Sequence, residues 1–398
     1  MLRRDFFIVF CLFFPLILSA ADPNGQTICL NMIVKDEKDV ICRCLESVKP
    51  VIDYWVIVDT GSSDGTQEII RTFMKEIPGE LHERPWINFG HNRNEALELA
   101  RGKADFLWII DADEVLLIEP GFQLPVLDKD YYFITTSFGG TRYGRLQLIN
   151  NRIPWKWRDV LHEHLESPFA RSHGQLTGIM NVVSTDGARS KDPKKFEKDA
   201  AILEEALGKE PLHSRYRFYL AQSYRDAGLW EKSLENYQKR VEMGGWDQEV
   251  FWSLFQIAIL QETLERPSAQ VIDAYYKAYQ FRPSRAETLY RLASYYRRKN
   301  HYHEGYLAAR KGLHIPLSDD VLFVEKWIYD YGLMLEYSIC AYWTEKYQEA
   351  KIASLYLLAH PDSPEHIRSC AKQNLVWIDK KLSDSALESD FQPIALCE

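Results

Sequence analysis

What this 398-residue sequence lacks narrows the field before any motif is read. It has no excess of positive charge: 48 Lys and Arg stand against 57 Asp and Glu, a formal net charge of −9. A dedicated nucleic-acid binder usually carries a basic face, so no nucleic-acid partner is expected. Its seven cysteines do not form a disulfide framework. Cys42 and Cys44 lie two apart on an expected helix and so point in different directions. Cys11, Cys29, Cys340, Cys370 and Cys397 are scattered. Most are expected to be buried thiols, which fits a reducing compartment. Beyond the first residues no apolar run approaches the roughly 20 residues that a membrane span needs. There is no H-E-x-x-H, which argues against a helical zinc-protease site.

The N-terminus is different. "MLRRDFFIVFCLFFPLILSAAD" has a basic start at Arg3 and Arg4, an apolar stretch from Phe6 to Leu18, and small residues Ser19, Ala20 and Ala21. Residues 1–21 therefore read as a signal peptide or signal anchor, which implies export or membrane association through this end. That reading and the sparse cysteines point to different compartments, and both stay open.

From Thr27 onward two rhythms follow one another. "TICLNMIV", "YWVIVDTGSSDGT", "ELHERPW" and "ADFLWIIDADE" are strand-like. Between them lie helix-like runs, "KDVICRCLESV", "TQEIIRTFMKEI" and "NRNEALELARG". In the first, Val40, Ile41, Cys44, Leu45 and Val48 fall on one helical stripe. Thr66 or Asp64 is placed to cap the second, and Gly102 stops the third. Alternation of this kind predicts an α/β domain with a mostly parallel, Rossmann-like sheet over residues 27–190. Ligands in such folds lie beyond the carboxyl ends of the strands, where Asp59, Asp111 and Asp113 stand. Pro193 and "STDGARSKDPKK" mark a boundary, and residues 192–383 read as all-α. There "YLAQSYRDAGLWEKSLENYQK" recurs as "RLASYYRRKNHYHEGYLAARK", with Leu220-Ala221 matching Leu292-Ala293, Tyr224 matching Tyr296, and Trp230 matching Tyr302. A divergent unit spans Trp252 to Tyr279, and another outline starts at Tyr347. The unit resembles the tetratricopeptide repeat, with prolines at 283, 316 and 361 closing its turns. Residues 384–398 form a tail.

Four stretches carry candidate chemistry. In "IIDADEVL", Asp111 and Asp113 are expected to share one strand face and converge on a ligand, with Glu114 off that face. Hard carboxylate oxygens suit Mg2+ or Mn2+ bridging to phosphate. In "VDTGSSDGT", Gly61 and Gly65 permit positive φ, and Ser62, Ser63 and Thr66 offer hydroxyls near a helix N-terminus that favours anions. The same loop lacks the basic residues a triphosphate would need. In "FGHNRNEALELA", Arg93 precedes or opens a helix and is placed to brace a diphosphate or sugar hydroxyl. In "WKWRDVLHEHLE", His162 and His164 would share a strand face. One of them, His164, is the candidate to complete a metal shell with Asp113. Asp159 or Glu163 is the candidate base for an acceptor hydroxyl or thiol.

Taken together, "ICLNMIVKDE…LESV", "WVIVDTGSSDGT", "FGHNRNEALELARG" and "LWIIDADE" resemble the nucleotide-sugar half of family 2 glycosyltransferases, of GT-A fold. The helical half resembles the subgroup that carries tetratricopeptide-like repeats. The resemblance implies that Asp111-Ala112-Asp113 is the D-x-D motif. In that family reading Asp113 binds a divalent metal on the donor diphosphate, and Asp111 lies near the ribose and the metal waters. It also implies that Asp59, with the backbone around Met32 to Val34, lies near the nucleotide base, and that Arg93 lies near the donor. Two departures stand out. Family members commonly have a second acid where this chain has Thr60, and no clear E-D pair follows the D-x-D at the usual place of the catalytic base, which leaves Asp159, Glu163 and His164 as candidates for that role. The expected activity is metal-dependent, inverting transfer of a sugar, with a UDP-sugar as favoured donor, to a peptide, protein or glycan. The rival expectation is a repeat scaffold whose sugar-nucleotide domain no longer turns over.

Overall fold

The computed structural model describes residues 25–138 and 141–390. The expected targeting segment, Cys11 and Cys397 lie outside the described residues, as does the end of the expected tail from residue 391. The chain divides into two compact units at Ile202/Leu203.

The first unit starts as the alternation predicts. Strands β1 (Ile28–Val34), β2 (Tyr54–Asp59), β3 (Gly79–Glu83) and β4 (Phe106–Ile109) interleave with helices α1 (Ile41–Val48), α2 (Thr66–Phe73) and α3 (Phe89–Ala100). The four strands are parallel in the order β3-β2-β1-β4. β1 is almost wholly apolar because a parallel strand covered on both faces meets no water. Its exception, the buried Asn31, donates Nδ2 to the Ala96 carbonyl at 2.8 Å. Helix α1 buries the residues its stripe named: Val40 just before it, then Ile41, Cys44, Leu45 and Val48.

Beyond β4 the sheet becomes mixed. It continues through β5 (Glu114–Ile118), β6 (Tyr131–Phe138) and β7 (Thr141–Asn150). A separate two-stranded ribbon, β8 (Lys156–Arg158) and β9 (His164–Glu166), precedes β10 (His173–Val183). The full order is β3-β2-β1-β4-β7-β6-β10-β5. β7 runs antiparallel to both β4 and β6, β10 parallel to β6, and β5 antiparallel to β10. Because β1, β2 and β4 are parallel, their carboxyl ends open on one edge, which positions the site.

Helix α4 (Lys195–Lys209) contains the division between the units. Hairpins follow: α5 (Ser214–Asp226) with α6 (Trp230–Glu242), α7 (Asp247–Thr263) with α8 (Ser268–Phe281), α9 (Glu287–Arg298) with α10 (Tyr302–Gly312), and α11 (Leu333–Trp343) with α12 (Tyr347–Ala359). Helix α13 (Glu365–Asp390) packs on α12. Each hairpin buries its apolar side on its neighbours, as stacked repeats must. The matched positions have one job. Leu220 and Ala221, like Leu292 and Ala293, are buried, and the two alanines lie where the helices of a hairpin touch. Ser233 donates its hydroxyl to the Ala221 carbonyl at 2.7 Å. At the equivalent Gly305, a Cβ would stand 3.2 Å from the Ala293 carbonyl oxygen. The divergent unit is the α7–α8 hairpin. Among the described residues no helix is long and apolar enough to cross a membrane.

Candidate functional site

Asp111, Ala112 and Asp113 occupy the turn between β4 and β5, not a strand. The expectation that strand alternation places Asp111 and Asp113 on one face is therefore corrected: β4 ends at Ile109, and a turn aims the two acids separately. Asp111 Oδ1 accepts from Arg93 Nη2 at 2.6 Å, and its Oδ2 accepts from Arg145 Nη2 at 3.1 Å. Arg93 also donates from Nε to Glu163 Oε1 at 2.7 Å, and Arg145 donates from Nη1 to Glu114. The result is an alternating chain, Glu163–Arg93–Asp111–Arg145–Glu114. The Arg93 guanidinium lies 5.1 Å from the centroid of the Trp157 ring, an added cation–π contact. Burial acts to raise the Asp111 carboxyl, but the charges of Arg93 and Arg145 outweigh it and hold the group well below the usual range. At Glu114 burial wins over Arg145 and the carboxyl is raised.

Arg93 lies in the second turn of α3, because the helix opens earlier, at Phe89, with Asn88 accepting the His91 N–H at 2.8 Å. The neighbouring Asn94 pins β8 through two bonds to the Trp157 backbone. Gly90 is required here. A Cβ at that position would sit 2.1 Å from the Asp159 carbonyl oxygen, so glycine lets the 159–163 loop close over α3.

Asp113 is set apart. Among the described residues no lysine or arginine pairs with its carboxylate, whereas its backbone carbonyl accepts from Ser184 Oγ at 2.6 Å. Burial and then the charge of Asp111 push its carboxyl up. The segment after β10 covers it: a Cβ on Gly187 would fall 2.9 Å from Asp113 Oδ2. The segment is fastened by Arg43 to Asp186 and by the Ala188 N–H to Glu37 Oε2 at 3.2 Å. Glu37 is pushed up to about 7, first by burial, against the Ala188 N–H, and further by the charge of Asp113. A carboxyl raised in the fold is a penalty above its folded value that vanishes below its ordinary one. Glu37→Gln, which keeps the acceptor oxygen, is thus expected to raise Tm at about pH 8 and to give no gain at about pH 4. Melting curves with a chelator present check this, and an equal gain at both pH values would count against it.

Asp59 ends β2. Its Oδ1 accepts from the Gly61 and Ser62 N–H groups at 2.9 and 2.8 Å and from Gln67 at 3.0 Å. Its Oδ2 is buried with no hydrogen-bond partner. Thr60 is buried, and both its N–H and its hydroxyl donate to the Val34 carbonyl at 2.9 and 3.0 Å. The Met32 and Val34 side chains belong to the core. The "TGSSDGT" loop has local bonds to the loop after β1. Ser62 Oγ accepts the Asp36 N–H at 2.8 Å, Thr66 Oγ1 accepts the Glu37 N–H at 2.9 Å, and the Ser63 N–H donates to Asp36 at 2.7 Å. These bonds knit the loops after β1 and β2 into one wall. At the start of α2, Asp64 Oδ1 accepts from the Thr66 N–H at 3.0 Å.

Residues 159–163 are not a strand, which corrects the shared-face reading of His162 and His164. Asp159 and His162 have φ of 73° and 54°, and β9 begins only at His164. His164 Nδ1 lies 3.1 Å from Asp159 Oδ2, and its Nε2 lies 3.8 Å from Glu166. Among the described residues no three His, Cys, Asp or Glu side chains converge as a ready-made metal cage. Arg145, Glu37, Arg43 and Asp186 were not singled out in the sequence. Only Arg145 left a trace: it shares a face of β7 with Gln147, and both reach Glu114.

Residues 29–129 match the Glycosyl transferase family 2 profile. The first unit contains a family 2 glycosyltransferase domain. That domain spans β1 to β4, α1 to α3, the acid turn and β5, so Asp59, Arg93, Asp111 and Asp113 all lie within it. A tetratricopeptide-repeat-containing protein of Synechococcus elongatus is 34% identical over 143 residues, 34% of each chain. An uncharacterized glycosyltransferase of Rickettsia felis is 24% identical, across 56% of this chain and 77% of that one. The prophage-derived glycosyltransferase SunS of Bacillus subtilis is 24% identical, across 54% of this chain and 55% of SunS. The alignments thus span about a third and about half of the first and third of these relatives. Among solved structures, Staphylococcus aureus TarS 1–349 in complex with UDP-GlcNAc overlays with a TM-score of 0.36 at 14% identity, covering 64% of this chain and 91% of that one.

Proposed function

We propose that the first unit transfers a sugar, with inversion, from a nucleotide-diphosphate donor, a UDP-sugar by preference, to a peptide, protein or glycan acceptor. The observation that carries this is a pair of carboxylates at one edge of the sheet that no arginine or lysine among the described residues claims. Asp59 offers a buried oxygen with no partner, and Asp113 offers a carboxylate with no paired cation. The first suits a nucleobase N–H. The second sits in surplus negative field and would hold a hard divalent cation, Mn2+ or Mg2+. When bound there by Asp113, such an ion supplies Lewis-acid stabilisation of the departing diphosphate.

The remaining roles belong to the chain itself. Asp111 is held by two arginines, so it would orient the donor ribose and leave the direct metal-ligand role to Asp113. Arg93 ties Asp111 to the 159–164 loop through Glu163, which fixes donor and acceptor elements together. A carboxylate bound to arginine is a weak base, so Glu163 is a positioning residue in this reading. Activation of the acceptor is assigned to Asp159 acting with His164: the Asp159 side chain is buried and orients an imidazole that is 48% exposed. His164 is then a proton carrier and not a metal ligand.

The test is direct. Full-length protein is incubated with a panel of nucleotide sugars and Mn2+, with and without peptide, protein and glycan acceptors, and released nucleotide is measured. Release from one donor that rises with acceptor is expected. Silence with every donor, together with no saturable donor binding, sinks the proposal.

A further inference from the structure

The connection between α10 and α11 does not take a short path. From Pro316 to Glu325 it has no regular structure, and it lies on the first helices of three consecutive hairpins. Phe323 packs its ring against Phe218 of α5, with centroids 6.4 Å apart and planes 14° apart, and against Trp252 of α7 at 4.9 Å. Gln248 of α7 accepts the backbone N–H groups of Val321 and Leu322 at 3.0 and 2.9 Å. Arg285, just before α9, donates to the carbonyls of Leu322 and Phe323 at 3.1 and 2.9 Å. Glu287 of α9 accepts the Glu325 N–H at 3.2 Å. The Asp320 carboxylate, 6% exposed, is gripped by Arg282 and Arg285.

These are contacts by which a surface can hold an extended peptide. Side chains read the main chain at successive N–H and C=O groups, a basic pair takes a carboxylate, and an aromatic slot takes a ring. Stacked hairpins present an extended surface long enough for such a ligand. The fit is incomplete. Val321 is 82% exposed and Phe323 41% exposed. Phe323 is also held at φ 49°, a region that a bulky L-residue adopts only under constraint.

We propose that Pro316–Lys326 is a tethered self-ligand on a peptide-binding face. The partner of that face is an extended peptide carrying an aspartate, any residue, an aliphatic and an aromatic in succession, as Asp320-Val321-Leu322-Phe323 does. The tethered copy competes with the partner, so free peptide binds only when the segment swings out. This inference does not depend on sugar transfer by the first unit.

The probe is a fluorescent peptide with the sequence of residues 316–326, titrated into full-length protein and followed by anisotropy. A tether holds its segment at millimolar effective concentration, so the wild type should bind weakly. The Asp320→Ala/Phe323→Ala protein, with its own segment released, should bind about tenfold more tightly or better. A peptide bearing the same two changes should bind neither protein. If that variant does not fold, hydrogen exchange on the wild type gives the answer. Several millimolar peptide, about the effective concentration of the tether, should strip protection from the Val321 and Leu322 amides. A folded double variant that binds no better than wild type, or amides that stay protected under peptide excess, overturns the proposal and leaves the segment a fixed part of the fold.

Discussion

Asp113→Ala is expected to lower nucleotide release about a thousandfold while leaving the protein at least as stable. A metal-held phosphate charge is worth several kcal/mol in the transition state, and about 4 kcal/mol corresponds to roughly a thousandfold in rate. The stability half of the prediction follows from the same environment. Burial and the charge of Asp111 raise the Asp113 carboxyl in the fold. A raised carboxyl is a folding penalty above its ordinary value, present at neutral pH and relieved as pH falls. Removing it at pH 7 therefore relieves strain in the field and breaks no ion pair. Initial rates across a Mn2+ titration and melting curves in chelator test the two halves separately. A variant that keeps near-normal rates, or the wild-type dependence on Mn2+, would falsify the metal assignment. Loss of activity accompanied by a large fall in Tm would mean that Asp113 was holding loops, not an ion.

Arg93→Met should have the opposite signature: loss of activity through loss of structure. It leaves Glu163 without its arginine and Asp111 with only Arg145. Breaking a buried pair by removing one partner typically costs about 3–5 kcal/mol, because the remaining charge is stranded. Arg93→Lys is expected to recover only part of this, since an ammonium cannot span two carboxylates with a planar fork. Adding Glu163→Gln to Arg93→Met should restore part of the loss, because one stranded charge disappears. Denaturant unfolding of the four proteins measures these differences. If Arg93→Met costs less than about 1 kcal/mol, the network is a surface feature and contributes no more than an exposed pair does.

The extent to which the sequence foretold this site depends on the reach of each interaction. The Cys44-Leu45-Val48 stripe of α1 was legible because a helix repeats within eight residues, and one buried side leaves that period in the letters. The matched Leu-Ala pairs of α5 and α9 were legible because each repeat solves the same local packing problem. Asp59 was legible as the end of an apolar strand, and the fold leaves its Oδ2 without a hydrogen-bond partner. The acid turn was placed correctly along the chain but given the wrong geometry. Where β4 stops is set by its pairing with β1 and β7, and β7 lies some forty residues further along the chain. The local bonds of Ser62, Ser63 and Thr66 left no sign in the sequence because their partners, Asp36 and Glu37, come from the loop after β1.

By itself, then, the sequence determined the kinds and order of elements from β1 to β4, the α/β-then-helical division, and the strand ends at which the acids stand. Each of these rests on contacts within one helix, one strand or one repeat. Only the tertiary structure decided which acid is free. Arg93 meets Asp111 across 18 residues and Glu163 across 70, and Arg145 meets Asp111 across 34. Charge pairing acts through space, and the distance along the chain carries no record of it.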